Sequence, residues 1–210
     1  MTARRIPSGG TRPVVVAAGP GDIDVLSRVI ADAFHPLAVS QWLVSDPDAR
    51  REIFPGYFRI LVEHAIDTGT VLTTPRRTAA ALWLPVSTDG PQPPARYETH
   101  VTAATGPWHA RFTELDAAFA RHHPAGLTHH HLAVLAVRPG QQGTGIGTAL
   151  LDAHHRDLDA ARLPAYLEAS GPDTRRLYLV HGYADHGPPI RLPDGPPMYP
   201  MLRHPHTIRR

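Results

Sequence analysis

Three glycines alternate with larger residues in Gln142-Gly143-Thr144-Gly145-Ile146-Gly147. The apolar run Leu132 to Val137 leads into this turn, Pro139 closes the run, and Ile146, Ala149, Leu150 and Ala153 begin a helical repeat beyond it. A strand that enters a glycine-rich turn and then a helix presents unpaired backbone N–H groups at the positive end of the helix dipole, an arrangement that binds phosphate. Glycine serves where the backbone must approach a ligand or take positive φ. The same spacing also suits a merely compact strand-to-helix connection. Two phosphate motifs do not fit. A Walker-type loop needs a lysine, and all 21 basic residues are arginine. A dinucleotide fingerprint needs a third glycine where Thr148 stands.

Other reactive side chains narrow the chemistry further. The chain has no cysteine, which removes disulfides, thiol nucleophiles and thiolate metal sites. Without lysine there is no Schiff base. His129-His130-His131 opens the strand, and alternation places His129 and His131 on one face and His130 on the other. Adjacent residues that point apart make a poor metal site, so no metal is expected. The net charge is only +2, with arginines dispersed in pairs, and no basic stripe with interleaved aromatics marks a nucleic-acid binder. No apolar run approaches the ~20 residues that cross a bilayer, and Met1 to Arg12 lacks the apolar core of a secretory signal. A cytoplasmic protein without membrane or nucleic-acid partners is expected.

The elements that position these groups read as follows. Val14 to Ala18 predicts a strand, and Asp22 is placed to cap a helix whose Ile23, Leu26, Ile30, Ala33 and Phe34 share a face. Pro47-Asp48 opens a second helix that ends at Gly69. Thr70 to Thr74 and Thr78 to Pro85 predict a hairpin. Residues 86 to 128 are proline-broken, with one amphipathic helix around Phe112, Leu115, Ala118 and Phe119. After the glycine-turn helix come a strand at Ala165 to Ala169, a helix ending at Gly182, and two strands around Asp185 to Leu192 and Met198 to Leu202. That order predicts a mixed, mostly antiparallel sheet flanked by helices. A length of 210 residues fits a flexible segment 1–12, a single domain 13–204 and a tail 205–210.

The string Val137-Arg138-Pro139, then Gln142 to Gly147, then Ala149-Leu150-Leu151 resembles the signature of the GNAT acetyltransferases. Leu177-Tyr178-Leu179-Val180-His181-Gly182-Tyr183 resembles that family's next motif, with Tyr183 in place of phenylalanine and Thr174 where asparagine is common. Asp32-Ala33-Phe34-His35-Pro36, Ser45 to Asp48, Ala81 to Pro85 and Leu167 to Ser170 look like the actinobacterial branch that includes puromycin N-acetyltransferase.

The resemblance implies the GNAT fold and acetyl-CoA as co-substrate. It places the coenzyme diphosphate on donors from Gln142, Gly143, Thr144, Gly145, Ile146, Gly147 and Thr148, with Thr174 nearby and the thioester beside Leu135, Ala136 and Val137. It implies direct attack by an amine, since no cysteine can carry the acyl group, with Tyr178 as general acid for the departing thiolate. His131 is the expected base, four residues before Leu135, an imidazole being suited to take the amine proton. Phe34, Trp42, Trp83 and Glu168 are residues that could line the acceptor site, walled by the first two helices and the middle segment. The expected acceptor is a small-molecule amine such as an antibiotic, toxin or biosynthetic intermediate, bound by a monomer or homodimer. A protein-amine acetyltransferase and a non-catalytic acyl-CoA sensor are the alternatives.

Overall fold

The computed structural model describes residues 12–206; all but the last residue of the segment 1–12, and 207–210 of the tail, lie outside the described residues. Arg12 itself is paired with Asp152 at 2.6 Å, and the His206 amide donates to Asp159 at 2.9 Å.

The elements run β1 (Val16–Ala17), α1 (Ile23–Phe34), α2 (Ala38–Leu43), α3 (Pro47–Thr68), β2 (Thr70–Thr73), β3 (Ala79–Val86), α4 (Tyr97–Thr105) and α5 (His109–His122). Then follow β4 (His129–Val137), α6 (Ile146–Ala161), β5 (Ala165–Ala169), α7 (Pro172–Val180), β6 (Ala184–Asp185) and β7 (Tyr199–Arg203). The strands form one seven-stranded sheet in the order β1-β2-β3-β4-β5-β7-β6. Every pairing is antiparallel except β4 with β5. The expected mixed sheet flanked by helices is what folds. No helix among the described residues is long and apolar enough to cross a membrane.

Each face of the sheet carries its own core. Ala80, Leu82, Val134 and Ala136 pack with Leu26, Ile30, Phe54, Phe58 and Phe112 beneath α1, α3 and α5. Ala81, Trp83, Leu132 and Leu167 pack with Leu150, Leu151 and Leu158 of α6 on the other side. Burial of such side chains, roughly 1.5–3 kcal/mol each, supplies the main stabilisation of the layers.

Three local expectations are corrected. Asp22 makes no side-chain cap on α1; its carboxylate instead accepts from the Gly19 amide at 3.1 Å and from Arg77 at 2.9 Å. Asp22 ends a short 3-10 turn in αR conformation rather than extended, and its carboxylate caps the start of that turn at Gly19 instead. The middle segment holds two helices rather than one, parted at Gly106, whose φ of +52° suits a residue without Cβ. The first of them buries only Val101 and Thr105, too few apolar positions to show a period. The strand expected from Asp185 to Leu192 shrinks to Ala184–Asp185 plus a single bridge from Ile190 to Met198. Pro188 and Pro189 cannot donate to a ladder.

One irregularity shapes the centre of the sheet. Leu82 pairs with Val134 but Trp83 with Leu132, so Ala133 is an extra residue on β4. The bulge inverts the alternation. Before it, His129 and His131 face α5, where their rings lie 4.9 and 5.2 Å from that of His123. His130 faces α6 and meets His154 at 3.0 Å. Beyond the bulge Val134 and Ala136 join the α1/α3 core, while Leu135 and Val137 pack on the α6 side.

Candidate active site

β4 and β5 pair at only two positions, His130 with Ala165 and His131 with Tyr166, and then part. Downstream of His131 the β5-facing edge of β4 therefore has no strand partner. The Arg138 amide donates across to Thr78 of the β3 side at 2.8 Å, and Ala136 pairs with Ala80 in the same phase. Amides alternate between the two edges of a strand, so those of Leu135 and Val137 point into the opening. Of the three residues expected beside the thioester, Ala136 offers no free donor there; its amide is spent on β3 and its side chain is buried.

The opening leads to the glycine turn. Gly143 and Gly145 adopt φ of +74° and +82°, conformations that larger residues rarely take. Gly145 is the N-cap of α6 and carries no side-chain cap. The first intrahelical bond is donated by Ala149, which leaves the amides of Ile146, Gly147 and Thr148 without a helical partner. Thr144 and Gln142 fold back onto the turn: the Thr144 hydroxyl donates to the Gln141 carbonyl at 2.6 Å, and the Gln142 side chain to that of Val137 at 3.3 Å. Gly147 packs its Cα against Val137 and Leu135, at ordinary contact distances for an added Cβ.

Tyr178 is mostly buried on α7, its ring 5.6 Å from that of Tyr183. Its hydroxyl has no hydrogen-bond partner among the described residues, and burial pushes its pKa well above the usual phenol value. Thr174, three residues into the same helix, is committed locally: its hydroxyl accepts from the Gly171 amide at 3.1 Å. It caps the start of α7, the local role its position suggests.

These groups border one cavity of about 780 Å³, which extends from the turn across to α1, α2, α3 and α5. In its wall, Nε2 of His131 lies 2.8 Å from Oε2 of Glu168. An ionised carboxylate only accepts, so Nε2 carries the proton, and it is Nδ1 that serves as the acceptor when the ring is neutral. Burial pushes the Glu168 carboxyl up, but His131, His123 and Tyr166 outweigh it and hold the group below the ordinary carboxylate range. Behind the pair, the His123 and His129 rings are joined at 3.1 Å, and burial lowers both pKa values, that of His123 to about 4.

The structure thus brings Leu135, Ala136, Val137, Gln142, Gly143, Gly145, Gly147, Thr148, Thr174, Tyr178 and His131 to one cavity. Phe34 and Glu168 border it too. Trp42 and Trp83 do not. The indole of Trp42 donates to the Pro193 carbonyl at 2.7 Å, and Trp83 is fully buried on the opposite face, stacked on His154 at 4.4 Å. Missed in the sequence were Tyr97 and Asp116, which also line the cavity and share a 3.0 Å hydrogen bond. A signal existed for Asp116: it lies four residues after Phe112 and three before Phe119, an acid on the apolar face of a helix.

Residues 113–203 match the family model described as an acetyltransferase (GNAT) domain. The structure is similar to that of the histone acetyltransferase HPA2 and related acetyltransferase from Corynebacterium glutamicum, at 22% identity and a TM-score of 0.72, covering 95% of this chain and 100% of that one. It is similar also to arylalkylamine N-acetyltransferase 2 from Aedes aegypti (10% identity, TM-score 0.59, 91% of this chain and 98% of that one). An agmatine N-acetyltransferase matches at 16% identity and a TM-score of 0.56, over 91% and 98% of the respective chains. The chain therefore has the GNAT fold, and its residues 113–203 match the model of a GNAT acetyltransferase domain. It is an acyltransferase.

Proposed function

We propose that this protein transfers an acetyl group from acetyl-CoA directly to the amine of a small molecule, the work of a single domain spanning 13–204. The observation that carries the reading is the parting of β4 from β5 directly beside the glycine turn. It sets main-chain donors along a slot and at its end, with the Tyr178 hydroxyl bordering the same space. These donors fit coenzyme A. Unpaired amides at Ile146, Gly147 and Thr148, at the positive end of α6, suit a diphosphate. The free amides of Leu135 and Val137 suit an extended amide-bearing arm.

Acetyl-CoA supplies an activated acyl carbon. The residues supply position and two proton transfers. Holding amine and thioester in register can contribute roughly 7–11 kcal/mol. As the N–C bond forms and the C–S bond breaks, Nδ1 of His131 takes the amine proton while Nε2–H stays anchored on Glu168, and Tyr178 gives its proton to the sulfur. Burial keeps the Tyr178 hydroxyl protonated, so it meets the developing thiolate as a hydrogen-bond donor, and the proton passes as the C–S bond breaks. Glu168 acts through His131, fixing its tautomer and stabilising the imidazolium, in the manner of the third member of a catalytic triad.

The segment Pro91 to Pro94, with Tyr97 and residues of α5, lines the acceptor side of the cavity with bulky and apolar groups, which supports a small acceptor rather than an extended peptide. The resemblance of Asp32 to Pro36 and Leu167 to Ser170 to the puromycin N-acetyltransferase branch supports the same choice. The test is calorimetry with coenzyme A and acetyl-CoA, followed by a thiol-release assay over a panel of amines. Saturable binding and amine-dependent release are expected; folded protein that binds neither form of the coenzyme overturns the reading.

A further inference from the structure

The acceptor half of the cavity has an unusual charge. Although the chain holds 21 arginines, none lines it, and its carboxylates are Glu168 and Asp116. Glu168 is paired with His131. Asp116 has no salt-bridge partner among the described residues; it accepts one hydrogen bond, from Tyr97, and the neighbouring Glu98 is paired with His109 at 3.0 Å. Burial pushes the Asp116 carboxyl up to about 6, the mark of an anion short of a counter-charge.

The two ends of the half-cavity are tied to one helix. His123, whose ring lies 5.2 Å from that of His131, is the C-cap residue of α5, seven positions after Asp116, and both line the cavity. Seven residues rise about 10 Å along a helical axis. Between those ends the wall is apolar and aromatic, with Phe34, Phe54, Phe58, Leu61 and Phe119.

We infer that the acceptor is a ditopic amine: a reactive amine at His131, an apolar body along the phenylalanine wall, and a second cationic group about 10 Å away on Asp116. This rests on the acetyltransferase reading and names its substrate class. A cation would supply the counter-charge that Asp116 lacks, in a site too shielded for water to do so cheaply. The apolar wall cannot by itself select strongly among amines of similar size, whereas a buried carboxylate can.

The test compares two acceptors of equal length, an aralkyl monoamine and the diamine with its second nitrogen at the far end. kcat/KM is measured for each with wild-type protein and Asp116→Asn, and amine affinity is measured by calorimetry in the presence of coenzyme A. Wild type should prefer the diamine by about tenfold or more, the factor of one 1.4 kcal/mol interaction. Asp116→Asn, which keeps an acceptor for Tyr97, should erase that preference. Tyr97→Phe, which keeps the carboxylate, should retain it. Equal kcat/KM and equal affinity for the two amines in wild type, or a preference that survives Asp116→Asn, overturns the inference. Diamine binding that depends on Asp116 without any turnover supports it and overturns the transferase reading instead.

Discussion

The two halves of the cavity are built in different ways. The half proposed for the coenzyme is made of backbone: free amides of Leu135 and Val137 on β4 and of Ile146 to Thr148 at the start of α6, all within fourteen consecutive residues. The half proposed for the acceptor is made of side chains drawn from α1, α2, α3, α4, α5, β4 and β5. Main-chain donors carry the same chemistry whatever residue supplies them, so that half depends on local conformation. The other half depends on which side chains the fold assembles, and can change partner by single substitutions while the coenzyme half stays as it is.

Tests that remove one element from either half should separate accordingly. The largest effect belongs to Tyr178→Phe at the junction: kcat falls by about 10²-fold or more, with coenzyme affinity unchanged, because only a proton donor to sulfur is lost. Steady-state and single-turnover kinetics check it, and full single-turnover rates would remove the role. On the acceptor side, His131→Ala should lower kcat/KM by about 10²-fold and abolish the acidic limb of its pH profile. An unchanged limb assigns the base elsewhere. On the coenzyme side, Gly145→Val places a β-branched residue at φ +82°. Such strain costs roughly 1–3 kcal/mol and displaces the turn, so acetyl-CoA affinity should drop about 10- to 100-fold by calorimetry.

The smallest effect concerns the opposite face, which should be indifferent to ligands but sensitive to acid. Burial lowers the pKa of His154 to about 4 and of His155 to about 3. The unfolded chain binds these protons near pH 6.5 and the folded chain resists them, so stability is full above about pH 6.5 and is lost as pH falls toward 4. Each histidine can contribute up to about 1.4 kcal/mol per pH unit within that window. The thermal midpoint should fall across it, and His154→Phe, which preserves a ring against Trp83, should flatten the fall. An equally steep slope in that variant would place the acid sensitivity elsewhere.

Much of the strand–turn–helix unit was legible in advance because its elements are contiguous and each leaves a local signature. Pro139 ends β4, glycines permit the turn, and Ile146, Ala149 and Leu150 keep the helical period. The pairing of His129 with His131 on one face also followed from alternation. Less could be read at Glu168. Its strand is five residues long and buried on both faces, so no polarity pattern assigns it a side. Asp116 left a trace, an acid on an apolar helical face, but α4, whose Tyr97 meets it, buries too little to announce itself.

What the chain by itself determined is the donor-rich turn and the absence of cysteine and lysine, since those are matters of local backbone preference and composition. Tertiary structure decided the rest: a one-residue bulge at Ala133 turned Leu135 and Val137 toward α6, and the parting of two strands freed their amides. It also set the β5 carboxylate against the β4 imidazole and left the α5 carboxylate without a charge partner. The physical reason is that register and pairing are settled by contacts between segments far apart in sequence, which no local preference encodes.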